Sequence, residues 1–331
     1  MAELFLKSNI PEHFWEPGIV SGYRRPGLTI KESLHSLLHL HNESLNIWTH
    51  FCSMIFFLIY FYIVSLSLEL YQEEKYNPML CIFVTTIIFT SGSSLAHTFN
   101  SMSECSHDIG FMVDYFGISL YAFATALSNF TYAFPKEWRG TIFCNTFLFL
   151  NALTSTLAVL LACRSKFVNH LVKRKIMRLS GFVLAYITSM APLFYRVIMT
   201  YSIYDATLHY WRHFIAGFFT ATFFASHFPE SVFPGKFDIF FHSHQIFHVA
   251  VSSGTYFKIT GLLADIRSGY PIITVQHSIA IMTVVTLING LVALYNIYQK
   301  YLFHRDRCSA FHSCRNQDEL INNNNSHEKY D

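Results

Sequence analysis

Two histidines four residues apart, His244 and His248, lie in a stretch of sequence that is otherwise mostly apolar. No Lys, Arg, Asp or Glu occurs from residue 239 to residue 257. In an α-helix, residues i and i+4 lie on one face, one turn apart, so these two imidazoles can hold one metal ion between them. Histidines that only hydrogen-bond and pack against neighbouring helices would show the same spacing, so the rest of the chain must decide between the two interpretations.

The composition of the 331-residue chain is typical of an integral membrane protein. Hydrophobic residues make up 52% of it and charged residues only 13%, about half the charged fraction of ordinary soluble domains. The apolar residues come in long runs, which predicts helices that cross a bilayer. The net charge of +2 neither favours nor opposes nucleic-acid binding, and we expect no nucleic-acid partner.

Eight runs of sequence are candidates for spanning helices, which predicts an all-α integral membrane fold. They cover residues 47–68, 79–103, 109–134, 140–163, 179–195, 213–229, 239–257 and a final run within 268–299. Residues 30–45 show roughly helical spacing of apolar side chains. This spacing predicts either a short amphipathic helix on the membrane surface or an extension of the first span.

The predicted spans divide the chain into four regions. We expect a cytoplasmic N-terminal segment (1–45), a seven-helix core (46–265), an eighth span (266–302) and a disordered cytoplasmic tail (303–331). With a cytoplasmic N-terminus, sixteen Lys and Arg residues fall on the inner side and seven on the outer side. The positive-inside rule therefore places both termini in the cytoplasm.

This orientation brings five polar residues to one depth near the cytoplasmic face. The second span ends with Ser93 and His97, the third begins near Asp114, and the seventh begins with His244 and His248. Three histidines and one open position are the ligand set of a catalytic-type zinc site.

The two other residues at this depth fit such a site. Asp114 would be costly inside a membrane if unpaired, so we expect it to accept a hydrogen bond from a water molecule on the zinc. Ser93, one turn before His97, could orient a ligand or water. For Asp114 the alternative is a charge at a helix N-terminus, where the helix dipole favours it.

Four stretches of the sequence resemble the progestin and adipoQ receptor family, in the expected order from about residue 20 to residue 265. They are Gly22-Tyr23-Arg24, residues 42–50 (NESLNIWTH), Ser93-x-x-x-His97 followed by Asp114-Tyr115, and the segment from Pro229-Glu230 to Ser243-His244-Gln245-Ile246-Phe247-His248.

The resemblance implies a seven-helix core with a cytoplasmic N-terminus and a zinc ion held by His97, His244 and His248. It also implies that Asp114 holds the zinc water, with Ser93 nearby. Alkaline ceramidases are similar at the same positions. The short N-terminal segment and the eighth span are more similar to the membrane progestin receptor branch, which implies a steroid ligand and the plasma membrane.

The sequence leaves two functions open, because both need the same five residues. The first is a receptor for a progestin-like steroid or related lipid, with a structural or modulatory zinc and a G protein or another cytoplasmic signalling partner. The second is a zinc-dependent hydrolase of ceramide-like lipid amides that releases a sphingoid base. In the hydrolase, Asp114 is the general base and Ser93 stabilises the oxyanion. A third hypothesis is a structural scaffold with a stabilising zinc. The open coordination position at the zinc weakens this hypothesis. The ligand-binding residues stay unassigned.

Overall fold

The computed structural model describes residues 3–199 and 205–327, with the side chains of residues 3–199 and 206–307. Within these ranges the structure is helical, with no strand other than an isolated bridge between Phe5 and Tyr23. The predicted all-α class is confirmed. The α-helices in this part of the chain are α1 (Ile30–Ser36), α2 (Ser44–Leu68), α3 (Asn77–Phe99), α4 (Glu104–Tyr132), α5 (Ile142–Ser165), α6 (Leu171–Met199), α7 (Asp205–Ser226), α8 (Ser243–Arg267) and α9 (Ser278–His327).

Six helices in the described ranges are long and apolar enough to cross a membrane, namely α2 to α6 and the part of α9 up to Arg307. The helices α7 and α8, of 22 and 25 residues, have the length to do so but are more polar. The polar residues of α8 include His248, Lys258 and Asp265, which are all buried. They therefore face neighbouring helices, and the lower hydropathy of α8 reflects internal contacts.

The start of α8 differs from the predicted span, which was expected to begin at residue 239. The helix begins at Ser243, with His242 as the capping residue and the Nε2 of its ring 3.2 Å from the carbonyl oxygen of Asn42. The buried carboxylate of Glu230 accepts hydrogen bonds from the backbone amide (2.7 Å) and the hydroxyl of Ser243. This contact satisfies an amide that has no partner within the helix, and so fixes where α8 starts.

Two further boundaries differ from the predicted ones. The helix α7 begins at Asp205, ahead of the predicted start at His213. The backbone of α9 is helical as far as His327, beyond the predicted end of the eighth span at residue 302. The predicted amphipathic helix corresponds to the short α1. This helix begins with a capping box between Thr29 and Glu32.

The helix α4 lies at the centre of the bundle, in contact with α3, α5, α6, α8 and α9. The backbones of α4 and α3 approach each other closely at Gly117. A Cβ atom added to this residue would lie only 2.9 Å from the Cα of Phe89. A side chain at this position would push the two helices apart. Since α3 and α8 both pack against α4, residues on all three helices can meet inside the bundle.

The N-terminal segment is tied to the end of α3 by a buried arginine. The Arg24 guanidinium donates to the carbonyl oxygens of His97 (2.6 Å) and Thr98 (2.9 Å) and to Asn100 Oδ1 (2.7 Å). The last carbonyls of a helix lack partners within it, so Arg24 satisfies them. Burial lowers the pKa of Arg24 to about 10, so the group remains charged at neutral pH.

The loop before α8 is tied to the same segment. The buried Asp238 accepts hydrogen bonds from the backbone amides of Val20 (3.0 Å) and Ser21 (2.8 Å) and from the Ser21 hydroxyl (2.6 Å). The N-terminal segment and this loop therefore lie together at the end of the bundle where α3 ends and α8 begins.

Candidate metal centre

Three imidazoles meet where the last turn of α3 faces the first turns of α8. The ligand nitrogens of His97, His244 and His248, which together we call the histidine centre, all lie within 4.8 Å of one another. The Nε2 atoms of His97 and His244 are 3.2 Å apart. Zn–N bonds of about 2.0–2.1 Å in a tetrahedral site place ligand nitrogens about 3.3 Å apart. The spacing of this pair of nitrogens therefore fits a zinc ion.

The other ring nitrogens of two of these histidines are held from outside the centre. His97 Nδ1 lies 2.7 Å from Glu43 Oε2. His248 Nδ1 lies 3.1 Å from the carbonyl oxygen of Asn46. Because a carboxylate and a carbonyl accept hydrogen bonds, both Nδ1 atoms carry the proton and both Nε2 atoms present a lone pair. Metal-binding histidines show this arrangement.

Glu43 is a residue of the site to which the sequence analysis gave no role. Its side chain is buried directly before α2 and also accepts a 2.7 Å hydrogen bond from Asn46 Nδ2. Burial raises the pKa of Glu43, but His97 and the hydrogen bonds from His97 and Asn46 outweigh it and hold the pKa well below its usual range. The signal in the sequence was an acidic residue directly before a long uncharged run, inside a stretch that matched the family.

Asp114 and Ser93 are both buried near His97. Ser93 lies one helical turn before His97 on α3, and the Asp114 carboxyl interacts electrostatically with the His97 ring. The helices α3 and α4 are close here, since a Cβ atom added to Gly92 would lie 3.9 Å from the Cα of Asp114. Asp114 Oδ1 has no hydrogen-bond partner in the part of the chain that the structure describes. A buried carboxylate oxygen without a donor is costly, and a water molecule held by a metal ion at the histidine centre would supply one.

The alternative explanation of Asp114, a charge at a helix N-terminus, does not hold. The helix α4 begins at Glu104, so Asp114 lies almost three turns inside it. The dipole of a helix acts within its first turn, which here contains Glu104. Asp114 therefore needs a partner within the bundle.

A fourth histidine contacts the centre. His50, on α2, stacks on His248 with ring centroids 3.6 Å apart and planes within 7° of parallel. Its side chain is buried, and neither ring nitrogen has a hydrogen-bond partner among the described residues. His50 was not among the predicted site residues, since no histidine lies one helical turn from it. The stack fixes the plane of the His248 ring.

A second group of histidines, which we call the Asp108 cluster, lies at the same end of the bundle. Its carboxylate, that of Asp108 near the start of α4, is buried and faces lysine and histidine side chains from four chain segments. Asp108 Oδ1 lies 3.4 Å from His13 Nε2, 3.6 Å from His107 Nδ1 and 3.4 Å from Lys166 Nζ. Asp108 Oδ2 lies 3.2 Å from Lys300 Nζ and 3.1 Å from His304 Nε2.

The Asp108 cluster resembles a metal site in residue type only. Two lysines already neutralise the one carboxylate and leave a net positive charge, which would repel a divalent cation in a buried environment. Lys300 also donates a 2.8 Å hydrogen bond to the carbonyl oxygen of Lys166. We therefore interpret the cluster as an ion-pair network that joins the N-terminal segment, α4, the end of α5 and α9.

Comparisons with known proteins identify the family of this chain. Residues 38–259 match the model of the haemolysin-III-related family. The chain is 34% identical to membrane progestin receptor gamma-A of Danio rerio, over 81% of this chain and 84% of that protein. It is 32% identical to the human membrane progestin receptors gamma and delta, over 80% and 81% of this chain and 82% and 80% of theirs.

The matched region contains the histidine centre, Asp114, Ser93 and Glu43. It also includes helices α2 to α7 and most of α8, so the similarity covers the bundle as well as the site. The chain therefore belongs to the haemolysin-III-related family, which includes the progestin and adipoQ receptors, and is similar to the membrane progestin receptors over most of its length.

Proposed function

We propose that the protein is a plasma-membrane receptor for a progestin-like steroid or a related lipid, with one zinc ion at the histidine centre. The observation that carries the receptor proposal is the similarity, over four fifths of the chain, to proteins named membrane progestin receptors. An apolar ligand reaches a bundle of membrane helices through the bilayer. A receptor of this kind therefore needs no aqueous entrance.

The proposed topology has a cytoplasmic N-terminus, seven core spans (α2 to α8) and α9 as an eighth. The excess of Lys and Arg on one side supports this orientation. The histidine centre then lies near the cytoplasmic face. The N-terminal segment and the loop before α8 form the surface that would meet a G protein or another cytoplasmic partner.

His97, His244 and His248 would hold the zinc ion through their Nε2 atoms. The hydrogen bonds that His97 and His248 donate to the Glu43 carboxylate and the Asn46 carbonyl support this, because they set the tautomers of both histidines before any metal binds. When bound, the ion would supply Lewis acidity, which lowers the pKa of a coordinated water and polarises a carbonyl group. In a receptor it would also fasten α3 to α8.

The second candidate function is a zinc-dependent lipid amide hydrolase, and one observation favours it. Asp114 Oδ1 is buried beside the centre with no partner in the described chain, which is the arrangement expected of a group that takes a proton from water. In this function Ser93, buried one turn before His97, would hydrogen-bond a carbonyl oxygen of the substrate. A receptor that signals by releasing a sphingoid base would combine both functions.

One set of measurements on purified protein tests these proposals. We expect about one zinc per chain by elemental mass spectrometry and saturable binding of tritiated progesterone in lipid nanodiscs. Sphingoid base released from a fluorescent ceramide would add the hydrolase function, and its loss on chelation would assign the reaction to the metal. A protein that folds but binds neither zinc nor steroid would contradict the proposal.

A further inference from the structure

A lysine is buried inside the bundle, away from the histidine centre. Lys258, on α8, is 0% exposed. It follows His248 by ten residues, which is about 15 Å along a helix. Its hydrogen-bond partner among the described residues is the sulfur of Met190 on α6, 3.6 Å from Nζ. A thioether is a weak acceptor, and a lysine amine has several donors to satisfy. Ionisable groups inside membrane bundles are costly and mark functional sites.

Other buried cations of this protein have strong acceptors. Arg196, near the end of α6, donates to both carboxylate oxygens of Asp265 at 2.7 Å. Tyr210 also donates to Asp265, so this carboxylate on α8 is already occupied. Lys166 and Lys300 pair with Asp108. Lys258 differs from these cations, because its partner among the described residues is a thioether sulfur.

A second donor points at the same sulfur. Asn129 on α4 is fully buried, and its Nδ2 lies 3.7 Å from Met190 Sδ and 2.8 Å from the carbonyl oxygen of Ser189. The donors of Lys258 and Asn129 therefore converge on one point from two helices. Methionine is flexible and adapts to irregular space, so the Met190 side chain can move aside.

We propose that Lys258 and Asn129 form a ligand-anchoring site that takes a neutral carbonyl oxygen of an apolar lipid, in the place that Met190 Sδ occupies. A ketone oxygen accepts two hydrogen bonds, which matches two converging donors. This inference rests on the proposed receptor function. In that function, Lys258 and Asn129 would recognise the ketone group of a keto steroid. The site is distinct from the histidine centre and belongs to the other half of the bundle.

The substitution Lys258→Met tests the site, because it removes the amine and keeps an unbranched side chain of similar length. The probes are progesterone, which has two ketones, and its two analogues in which one ketone or the other is reduced to a hydroxyl. Wild-type protein should bind progesterone at least about tenfold more tightly than one of these analogues, because buried donors would lose a well-placed acceptor. In the variant, progesterone binding should weaken by a similar factor and this preference should disappear.

Three controls separate the outcomes. Lys236→Met changes a lysine that is exposed in the loop before α8 and should leave binding unchanged. Met190→Leu should keep the preference for the ketone, since the proposal needs the sulfur only as a displaceable group. Asn129→Leu should weaken the preference for the ketone. The variant should keep its zinc, and this retained zinc would show that the bundle remains folded.

The results that would overturn the site are also specific. Unchanged progesterone binding and unchanged preference in Lys258→Met would contradict the ligand-anchoring site and leave the receptor proposal standing. Wild-type protein that holds zinc but binds no keto steroid would contradict the receptor proposal and this site together. A variant that melts at a higher temperature with normal binding would show that Lys258 is only a buried amine.

Discussion

The histidine centre and the Asp108 cluster lie at the same end of the bundle, and each contains three histidines near a carboxylate. The Phe111 ring lies between them, 5.2 Å from the ring of His97 and 4.9 Å from the ring of His107. In the histidine centre, the hydrogen bonds to Glu43 and Asn46 leave the Nε2 lone pairs free. In the Asp108 cluster, lysine ammonium groups already contact the carboxylate.

Residue type and proximity alone therefore do not make a metal site. A site needs lone pairs that point at one place and a local charge that a cation can neutralise. The proposed zinc site at the histidine centre meets both conditions through the Nε2 lone pairs of its histidines and the Glu43 carboxylate behind His97. The Asp108 cluster fails the second condition, because its lysines bring a net positive charge.

The largest expected effect separates the two groups by metal content. His244→Ala should reduce bound zinc from about one per chain to none, since two ligands bind far more weakly than three. His107→Ala, the matched change in the Asp108 cluster, should leave zinc content unchanged. Elemental analysis of both purified variants provides the measurement. Zinc lost in His107→Ala and kept in His244→Ala would reverse our assignment of the two groups.

Asp114→Asn should separate metal binding from proton transfer. The amide keeps the shape of the carboxylate but cannot take a proton, and three histidines still hold the metal. If the protein hydrolyses lipid amides, cleavage of a fluorescent ceramide should fall on the order of 10²–10⁴-fold. Zinc content and progesterone binding should remain nearly intact. Equal losses of steroid binding and hydrolysis in a variant that keeps its zinc would mean that the two proposed functions share one site.

Asp108→Asn should affect stability and leave the metal in place. The change leaves Lys166 and Lys300 buried beside a neutral group. Removal of one partner of a buried ion pair costs about 3–5 kcal/mol of folding free energy. The control Asp306→Asn alters an exposed ion pair with Arg305, worth about 0–1 kcal/mol. Denaturant titration in detergent compares the two. Equal stability of both variants would show that the Asp108 cluster is not a network that holds the bundle together.

The smallest expected effect concerns the carboxylate behind His97. Glu43→Gln should weaken zinc affinity by about 10–100-fold, as changes to hydrogen-bond partners of metal ligands do. Glu104→Gln, which affects an exposed pair with Arg307, should not change it. Competition with a chelating dye measures both affinities. An unchanged affinity in Glu43→Gln would mean that the orientation of His97 does not depend on its carboxylate partner.

Much of the architecture could be predicted from the sequence. Long apolar runs indicated the helices, because burial in a bilayer requires them whatever their neighbours are. The boundaries were less predictable where contacts distant in sequence fix them. Ser243 begins α8 because Glu230 accepts from its backbone amide. An uncharged run alone does not locate such a contact, so the predicted start at residue 239 was too early.

The sequence by itself determined that His244 and His248 share a helix face, because the helical period is a local property of the backbone. It also indicated that His97 and Asp114 lie at a similar depth. Only the tertiary structure decided that Glu43 orients His97, that His50 stacks on His248, and that Asp108 and Lys258 have opposite surroundings. The physical reason is that these contacts join helices far apart in the chain, whose relative rotation and spacing are set by side-chain packing across the whole bundle.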